Sequence, residues 1–165
     1  MQPTAMMQRV IVVIGLPGSG KSTWLKEHHC PTLSSDEMRR LLRDDVTDQS
    51  IHGVVFGLLR KLLIMRIQLG AQVTYIDATN LTRKDRRAYI KIAELYGCQA
   101  EALFFNTPIE VCVERNQMRN RVVPEEVIRH MAAKLQPPTM DEGFVVSTIV
   151  VPPTIVEPGP TSPTH

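Results

Sequence analysis

The stretch VIVVIGLPGSGKST, residues 10–23, joins an apolar, β-branched run to a glycine-rich loop and then to the start of a helical pattern. Gly15, Gly20, Lys21 and Ser22 fit the G-x-x-x-x-G-K-[ST] spacing of a phosphate-binding P-loop without departure. Glycines let such a loop adopt positive φ and turn its N–H groups inward around phosphate oxygens, and the helix N-terminus adds unpaired donors. The stretch therefore predicts that the chain binds a nucleoside triphosphate.

Two side chains of this loop have distinct predicted roles. Lys21 can bridge β- and γ-phosphate oxygens, and the Ser22 hydroxyl can bind the Mg²⁺ that comes with the nucleotide. The rest of the predicted nucleotide site consists of the neighbouring loop residues Gly15, Pro17, Gly18, Ser19, Gly20 and Thr23.

The composition is that of one globular domain. The chain has 165 residues, of which 43% are hydrophobic and 22% charged, with a net charge of +2. Its three cysteines are odd in number and form no C-x-x-C pair, which favours a reducing compartment over a disulfide framework. Residues 1–8 lack the pattern of a signal peptide, and the apolar runs fall short of a membrane span. We therefore expect a soluble, cytoplasmic protein with no membrane partner.

Strand-like and helical patterns alternate along the chain. The predicted strands cover residues 9–14, 32–34, 73–77, 99–105 and 144–151. The strongest helical periodicity runs over 51–69, and Ser35, Thr82 with Asp85, and Thr107-Pro108 have the residue types that begin helices. This order predicts the α/β class, as a P-loop NTPase-like three-layer sandwich with a five-stranded parallel sheet and helices on both faces.

The chain is expected to divide into one domain and a tail. Residues 1–151 form the predicted P-loop kinase domain, and an arginine-bearing lid of the adenylate-kinase kind covers about 116–123. Beyond this domain the composition shifts, because five of the last 14 residues are proline, mixed with Thr, Ser and Gly. Residues 152–165 are therefore predicted to form a flexible tail that cannot bury enough apolar surface to order itself.

Asp36 and Arg39 are the first candidates for chemistry beyond nucleotide binding. They stand three residues apart at the start of a predicted helix, so both project from one face of its first turn. Phosphoryl transfer needs a group that takes the proton of the acceptor hydroxyl; Asp36 can do this while Arg39 grips a neighbouring phosphate. The spacing equally allows Asp36 to be an ordinary helix-start residue and Arg39 to be solvated.

An arginine-rich segment follows later in the chain. Arg115 and Arg119 stand at i and i+4, with Arg121 and Arg129 beyond them. We expect these four residues to concentrate positive charge without matching acids, as in a flap that closes over the nucleotide and stabilises the transition state. The alternative is a solvated, charged loop.

Asp77 is a second candidate metal ligand beside Ser22. It stands at the carboxyl end of a predicted strand, where ligands bind in open α/β sheets. It can hold Mg²⁺ through water, as Walker-B-type acids do, or it can hydrogen-bond the backbone at the strand end.

Four short motifs carry a resemblance to a known family. They are GLPGSGKSTW at 15–24, Ser-Asp-x-x-Arg at 35–39, Asp-Ala-Thr-Asn-Leu at 77–81 and Glu-Arg-Asn at 114–116. Together they resemble the phage and bacterial polynucleotide 5′-kinases, and the stretch 44–80 is particularly similar to the kinase module of bacterial end-healing enzymes. The likeness covers about residues 10–144. Many families share the P-loop, so the specific part is the Asp/Arg pair together with Asp-Ala-Thr-Asn and the arginine lid.

This resemblance implies a role for each matching residue. Asp36 matches the general base that activates the 5′-hydroxyl of a nucleic acid strand, and Arg39 matches the arginine that contacts the acceptor's 3′-phosphate. The remaining matches are the phosphate and Mg²⁺ ligands Lys21 and Ser22, the catalytic lid arginine Arg115, and Arg119 as a second lid arginine that touches the nucleotide. Some family members form homo-oligomers, which leaves that assembly open here.

The chain departs from the family in its extent and its aromatic content. Family members are often fused to a 3′-phosphatase or a ligase, and this sequence has no D-x-D-x-T motif, so kinase activity alone is implied. Aromatic residues make up 5%, with Trp24 the single tryptophan, so the grip on nucleic acid is expected mainly from phosphate contacts. Candidates are Arg39, Arg40, Arg43 and the basic cluster 83–87, for which a solvated helix start is the alternative.

The sequence thus predicts an ATP- and Mg²⁺-dependent kinase of the 5′-OH ends of DNA or RNA. Two alternatives remain open. One keeps the chemistry and changes the acceptor to a small hydroxylated metabolite. The other is a nucleotide-dependent regulatory module with no acceptor but water.

Overall fold

The computed structural model describes residues 6–150 of the chain. The predicted tail at 152–165, and residue Val151 of the predicted fifth strand, lie outside the described residues. Within them, no helix is both long and apolar enough to cross a membrane.

Strands and helices alternate in this range as the sequence predicts. The strands are β1 (Arg9–Ile14), β2 (Thr32–Ser34), β3 (Val73–Asp77), β4 (Gln99–Phe105) and β5 (Val146–Val150). The helices are α1 (Lys21–Glu27), α2 (Ser35–Arg43), α3 (His52–Gln68), α4 (Arg83–Leu95), α5 (Ile109–Gln117) and α6 (Glu125–Lys134), followed by a 3₁₀ turn (Met140–Glu142). β5 begins two residues later than predicted, and Phe144, before it, packs into the core.

The five strands form one sheet in the order β2-β3-β1-β4-β5, and each neighbouring pair is parallel. β1 therefore lies at the centre, and the carboxyl ends of all the strands meet at one edge. Parallel strands covered on both sides are expected to be almost wholly apolar, and in β1 every residue after Arg9 is buried. The α/β class and the five-stranded parallel sheet are thus confirmed.

Alternate residues of β1 face two separate cores. Val10, Val12 and Ile14 pack with α3 and α4 on one face of the sheet. Ile11 and Val13 pack with residues of α1 on the other face. The sheet therefore has helices on both faces, and α1 begins directly beside the central strand end.

Three predicted helix starts have different outcomes. Thr82 and Asp85 form the expected reciprocal capping box at the start of α4. The prediction for α2 was wrong by one residue, because Ser34 is the N-cap and its hydroxyl accepts the Glu37 N–H, so Ser35 is already helical. Thr107 does not cap α5, because its hydroxyl donates to the Ser19 carbonyl 2.9 Å away. That bond ties the end of β4 to the P-loop.

Candidate active site

The P-loop between β1 and α1 has the backbone that phosphate binding requires. Gly18 and Gly20 have φ of 79° and 96°, in the left-handed region that favours glycine. A side chain at Gly18 would also collide with the Cys112 carbonyl oxygen on α5. The loop thus packs closely on α5, and no other residue type fits Gly18 without displacing that helix.

Strand ends on both sides of β1 hold the P-loop in place. On the β3 side, the Gly15 N–H donates to the Thr79 carbonyl at 3.1 Å, and the Asn80 amide donates to the Val13 carbonyl at 2.7 Å. Asn80 itself adopts a left-handed φ of 48°, which asparagine tolerates better than most residues. On the β4 side, the hydrogen bond from the Thr107 hydroxyl to the Ser19 carbonyl also holds the P-loop in place. Thr79 and Asn80 of the Asp-Ala-Thr-Asn motif therefore help to hold the P-loop beside the end of β3.

Lys21 is buried at the base of this loop. Its Nζ donates to the carbonyls of Gly15 and Leu16, both at 2.9 Å. Burial lowers the pKa of Lys21 from its usual value, and the Asp77 carboxylate acts in the opposite direction. The ammonium therefore lies inside the loop, where a bound phosphate chain is expected to meet it.

Ser22 and Asp77, the two predicted Mg²⁺ ligands, are in direct contact. The Ser22 hydroxyl donates to Asp77 Oδ2 at 2.9 Å, whereas a backbone bond was the alternative for Asp77. Burial raises the pKa of the Asp77 carboxyl, and Lys21 and Ser22 oppose that shift. Within residues 6–150 no three His, Cys, Asp or Glu side chains form a group that could hold a metal ion by themselves. One carboxylate and one hydroxyl suit Mg²⁺, because this ion usually takes its other ligands from water and substrate phosphates.

A cleft of about 720 Å³ opens beside the P-loop. Arg115 and Arg119 line it, and Arg115 Nη1 lies 3.4 Å from the place where a Cβ on Gly20 would stand. Neither arginine forms a salt bridge with a described residue. This donor cleft therefore gathers the predicted nucleotide ligands around uncompensated positive charge.

Sequence reasoning missed the apolar part of the donor cleft. Trp24, Phe105, Met118 and Val150 also line it. The available signal was Trp24, which stands three residues after Lys21 and so shares its side of α1. Phe105 and Val150 are the last residues of two strands, and only the sheet order brings them beside the loop.

A second cleft, of about 480 Å³, adjoins the first. Asp36 and Arg39 line this acceptor cleft, and Lys21, Ser22 and Arg119 line both clefts. Two clefts that share the predicted phosphate ligands are an arrangement that suits group transfer, because a donor and an acceptor could be held side by side.

Asp36 lies between two arginines in the acceptor cleft. Its Oδ1 accepts from Arg121 Nη1 at 2.9 Å and from Arg39 Nη1 at 3.4 Å. The Arg39 side chain is only 6% exposed, and its Nε has no hydrogen-bond partner among the described residues. A solvated Arg39 is therefore excluded, and a buried guanidinium with a spare donor lies beside the carboxylate.

Of the four arginines predicted to lack matching acids, two form ion pairs with described residues. Arg121 pairs with Asp36, and Arg129 pairs with both Glu110 and Glu125. These bonds raise the pKa of Arg129 and take its charge away from any phosphate. Arg129 was thus wrongly expected to lack a matching acid, because Glu110 lies on a neighbouring helix.

The lid also begins later than predicted. α5 continues through Asn116 and Gln117 before the loop starts. The buried Asn116 amide donates to the Val123 carbonyl at 2.6 Å, and its oxygen accepts the Val123 N–H at 3.0 Å. These two bonds close the base of the arginine-bearing loop at 117–122.

Most of the other predicted phosphate contacts are engaged in ion pairs. Arg86 is fully buried and forms two hydrogen bonds with Glu142, at 2.8 and 2.9 Å. Arg83, Arg40 and Arg43 pair with Asp141, Glu37 and Asp48 respectively. Arg86 links α4 to the 3₁₀ turn, so the cluster 83–87 is not a wholly solvated helix start, and its exposed members Lys84 and Arg87 remain candidates for phosphate contacts.

The fold and the two clefts define a P-loop kinase. A family model for the AAA domain matches residues 10–138, and the chain belongs to that family. It is 26% identical over 144 residues to a bifunctional polynucleotide phosphatase/kinase of Schizosaccharomyces pombe, a match over 83% of this chain and 32% of the relative. The predicted resemblance to polynucleotide kinases is confirmed by that match. The chain spans about a third of the relative's length.

Solved structures share the fold at low sequence identity. A chain from the Pnkp1/Rnl/Hen1 RNA repair complex superposes with a TM-score of 0.67 at 16% identity, over 81% of this chain and 46% of that one. A gluconokinase of Sinorhizobium meliloti superposes with a TM-score of 0.59 at 18% identity, over 88% of this chain and 83% of that one. At these identities the likeness establishes the fold and leaves the acceptor to be argued from the site.

Proposed function

We propose that this chain is an ATP-dependent polynucleotide 5′-hydroxyl kinase, which transfers the γ-phosphate of ATP to 5′-OH ends of DNA or RNA. The observation that carries the proposal is the position of Asp36 and Arg39 in a cleft that meets the P-loop cleft at Lys21 and Ser22. The kinase activity named for the S. pombe relative supports the same acceptor.

The acceptor side of the mechanism follows from Asp36 and Arg39. Asp36 accepts the proton of the 5′-hydroxyl as that oxygen forms its bond to the γ-phosphorus, while the bond to the leaving ADP oxygen breaks on the opposite side. Arg39, which lines the same cleft beside Asp36, holds the phosphate that follows the first nucleotide. Hydroxyl and phosphate are thereby fixed by residues one helical turn apart.

The donor side consists of fixed positive charge. Lys21 and Arg115 stabilise the charge that develops on the transferred phosphoryl group, and Arg119 contacts the nucleotide, a role that its position in the lining of both clefts supports. Bound at Ser22 and Asp77, Mg²⁺ would neutralise charge on the β- and γ-phosphate oxygens. P-loop backbone N–H groups complete the phosphate cradle.

A small-metabolite kinase is the second candidate, because the Sinorhizobium meliloti gluconokinase shares the fold over most of both chains. Arg39, a buried cation that lines the acceptor cleft, favours an acceptor with an anionic group over a neutral polyol. A regulatory module without an acceptor has no use for Asp36 as a base.

The test is transfer of labelled γ-phosphate from Mg-ATP to a 5′-OH oligonucleotide, with Asp36→Ala alongside. Wild type should label the end, and the variant should lose roughly 10²–10⁴-fold in rate, as for a general base. Glu37→Ala removes the next, exposed carboxylate and should keep full activity.

Each alternative predicts a different result in the same assay. Labelling of gluconate or another free polyol, with no labelled oligonucleotide, would support the metabolite kinase. ATP turnover that is unchanged by Asp36→Ala, with no labelled end, would support the regulatory module.

A further inference from the structure

The acceptor cleft contains an aromatic pair that the mechanism does not use. His52 and Phe56 stand one turn apart on α3, and both line the cleft that contains Asp36 and Arg39. Their ring centroids lie 4.5 Å apart with the ring planes inclined at 35°. The rings of His52 and Phe56 can therefore contact a molecule that binds in the acceptor cleft.

The helix core holds this pair in position relative to the catalytic groups. Phe56 is half-buried and packs on a small core cluster that contains Val55 and Leu59 of α3 and Met38 of α2. Met38 lies between Asp36 and Arg39 in sequence, on the same helical turn. The ring of Phe56 and the Asp36–Arg39 pair are thus fixed by one packed unit.

Apolar side chains also line the cleft from the lid side. Val122, Val127 and Met131 belong to the loop after α5 and to α6. These side chains give an apolar ring a surface on which to bury its faces, beside the polar groups of the same cleft. The chemistry of the cleft therefore combines a base, a phosphate-binding arginine and an apolar, partly aromatic wall.

We infer that Phe56 and His52 form the stacking surface for the terminal nucleobase of the acceptor strand. The inference rests on the proposed function and specifies its acceptor subsite. The first nucleotide of a strand has three parts, namely its 5′-hydroxyl, its 3′-phosphate and its base. Asp36 and Arg39 account for the first two, and the aromatic pair accounts for the third. The sequence analysis expected phosphate contacts to dominate, and this pair adds a contact to the π-face of any base.

The experiment compares two 5′-OH oligonucleotides that differ only in the first residue, which carries its base in one and is abasic in the other. The abasic sugar keeps the 5′-hydroxyl and the 3′-phosphate, so Asp36 and Arg39 have the same partners in both. Stacking of one base on an aromatic side chain corresponds to about a 5- to 150-fold change in binding. Wild type should therefore prefer the intact end in kcat/KM by a factor in that range.

Variants of the aromatic pair should reduce the preference for the intact end. Phe56→Leu keeps an apolar side chain without a ring and should bring the ratio of the two kcat/KM values towards one. His52→Ala removes an exposed ring and should lower the ratio in part, with little effect on folding. Val54→Ala, on the exposed side of the same helix, is the matched control and should leave the ratio unchanged.

The possible results distinguish a failure of the stacking surface from a failure of the proposed kinase function. Equal use of both oligonucleotides by wild type overturns the stacking surface and leaves the kinase assignment intact. An equal loss on both oligonucleotides in Phe56→Leu and in His52→Ala, with an unchanged ratio, shows a structural role only and also overturns it. If wild type labels neither oligonucleotide, the proposed function fails and the inference fails with it.

Discussion

Arg121 Nη1 donates to Asp36 Oδ1 at 2.9 Å, and this contact joins the lid loop to the first turn of α2. Arg39 donates to the same oxygen, at 3.4 Å. Among residues 6–150, no side chain donates to Asp36 Oδ2. One carboxylate oxygen therefore accepts from both arginines, which leaves the other available for the proton transfer proposed for Asp36.

The first prediction concerns the lid. Arg121→Ala should accelerate hydrogen exchange of the backbone amides at 118–122 in the nucleotide-free protein, because the loop loses its contact with Asp36. The pair is partly exposed, so its contribution should be at most about 1 kcal/mol, or roughly a fivefold change in exchange. Arg40→Ala, which breaks an exposed pair within α2, should leave these amides unaffected. Unchanged exchange in Arg121→Ala would show that the contact does not restrain the loop.

A second prediction concerns the backbone of the P-loop. Gly18→Ala should abolish measurable nucleotide binding in calorimetry and lower the thermal midpoint, because its Cβ meets the Cys112 carbonyl at a left-handed φ. Gly57→Ala is the matched control, since a Cβ there meets nothing closer than 3.9 Å. Within α3 that change should stabilise the fold by about 0.5–1 kcal/mol. Normal nucleotide affinity in Gly18→Ala would argue against the close packing on α5.

The buried ion pair between α4 and the 3₁₀ turn gives a third prediction. Glu142→Gln leaves the fully buried Arg86 without a countercharge and should reduce the free energy of unfolding by about 3–5 kcal/mol in urea titrations. Asp141→Asn breaks the exposed neighbouring pair with Arg83 and should cost less than about 1 kcal/mol. The folded fraction of the Glu142→Gln variant should have the same specific activity as wild type. Equal costs for the two variants would contradict the burial of Arg86.

Tyr89 gives a prediction about alkaline stability. Burial raises the pKa of Tyr89 to about 12, from an ordinary value of 10.0. Between these values the unfolded chain has lost the proton and the folded chain has kept it, so folding stability falls as pH rises from 10 towards 12. The loss attributable to this group amounts to at most roughly 2–3 kcal/mol.

The variant Tyr89→Phe removes that titration. Its free energy of unfolding should decline less than that of wild type between pH 9.5 and about 11, measured in urea titrations. Near neutral pH it should equal or exceed wild type, because the Tyr89 hydroxyl is buried with no partner among the described residues. Parallel pH profiles for the two proteins would contradict the burial of the hydroxyl.

Local patterns were enough to predict most of the scaffold. The bounds of β1, β3 and β4 follow from short apolar, β-branched runs that end at turn residues, and the P-loop follows from its fixed spacing. The capping box at Thr82 depends on residues three apart, so the sequence contains all of it. Ser34 and Ser35 are both good capping residues, and only the path of the backbone out of β2 selects Ser34.

Contacts across the fold could not be predicted in this way. Arg121 is 85 residues from Asp36, and Thr107 is 88 residues from Ser19. Such pairs depend on the order of the strands and on the packing of α5 and α6. One signal was available and missed, because Glu125 stands four residues before Arg129 on a predicted helix, a spacing that favours an ion pair.

The Lys21 ammonium, held by the carbonyls of its own loop, has a thermodynamic consequence. Because the bonds from Lys21 to the Gly15 and Leu16 carbonyls help to fix the shape of the loop, less conformational entropy is lost on binding, and more of the contact energy appears as affinity. A ligand that binds the folded chain alone also shifts the folding equilibrium, by about 2.7 kcal/mol at a hundred times its dissociation constant. The nucleotide concentration around the protein therefore helps to set what fraction of its molecules is folded.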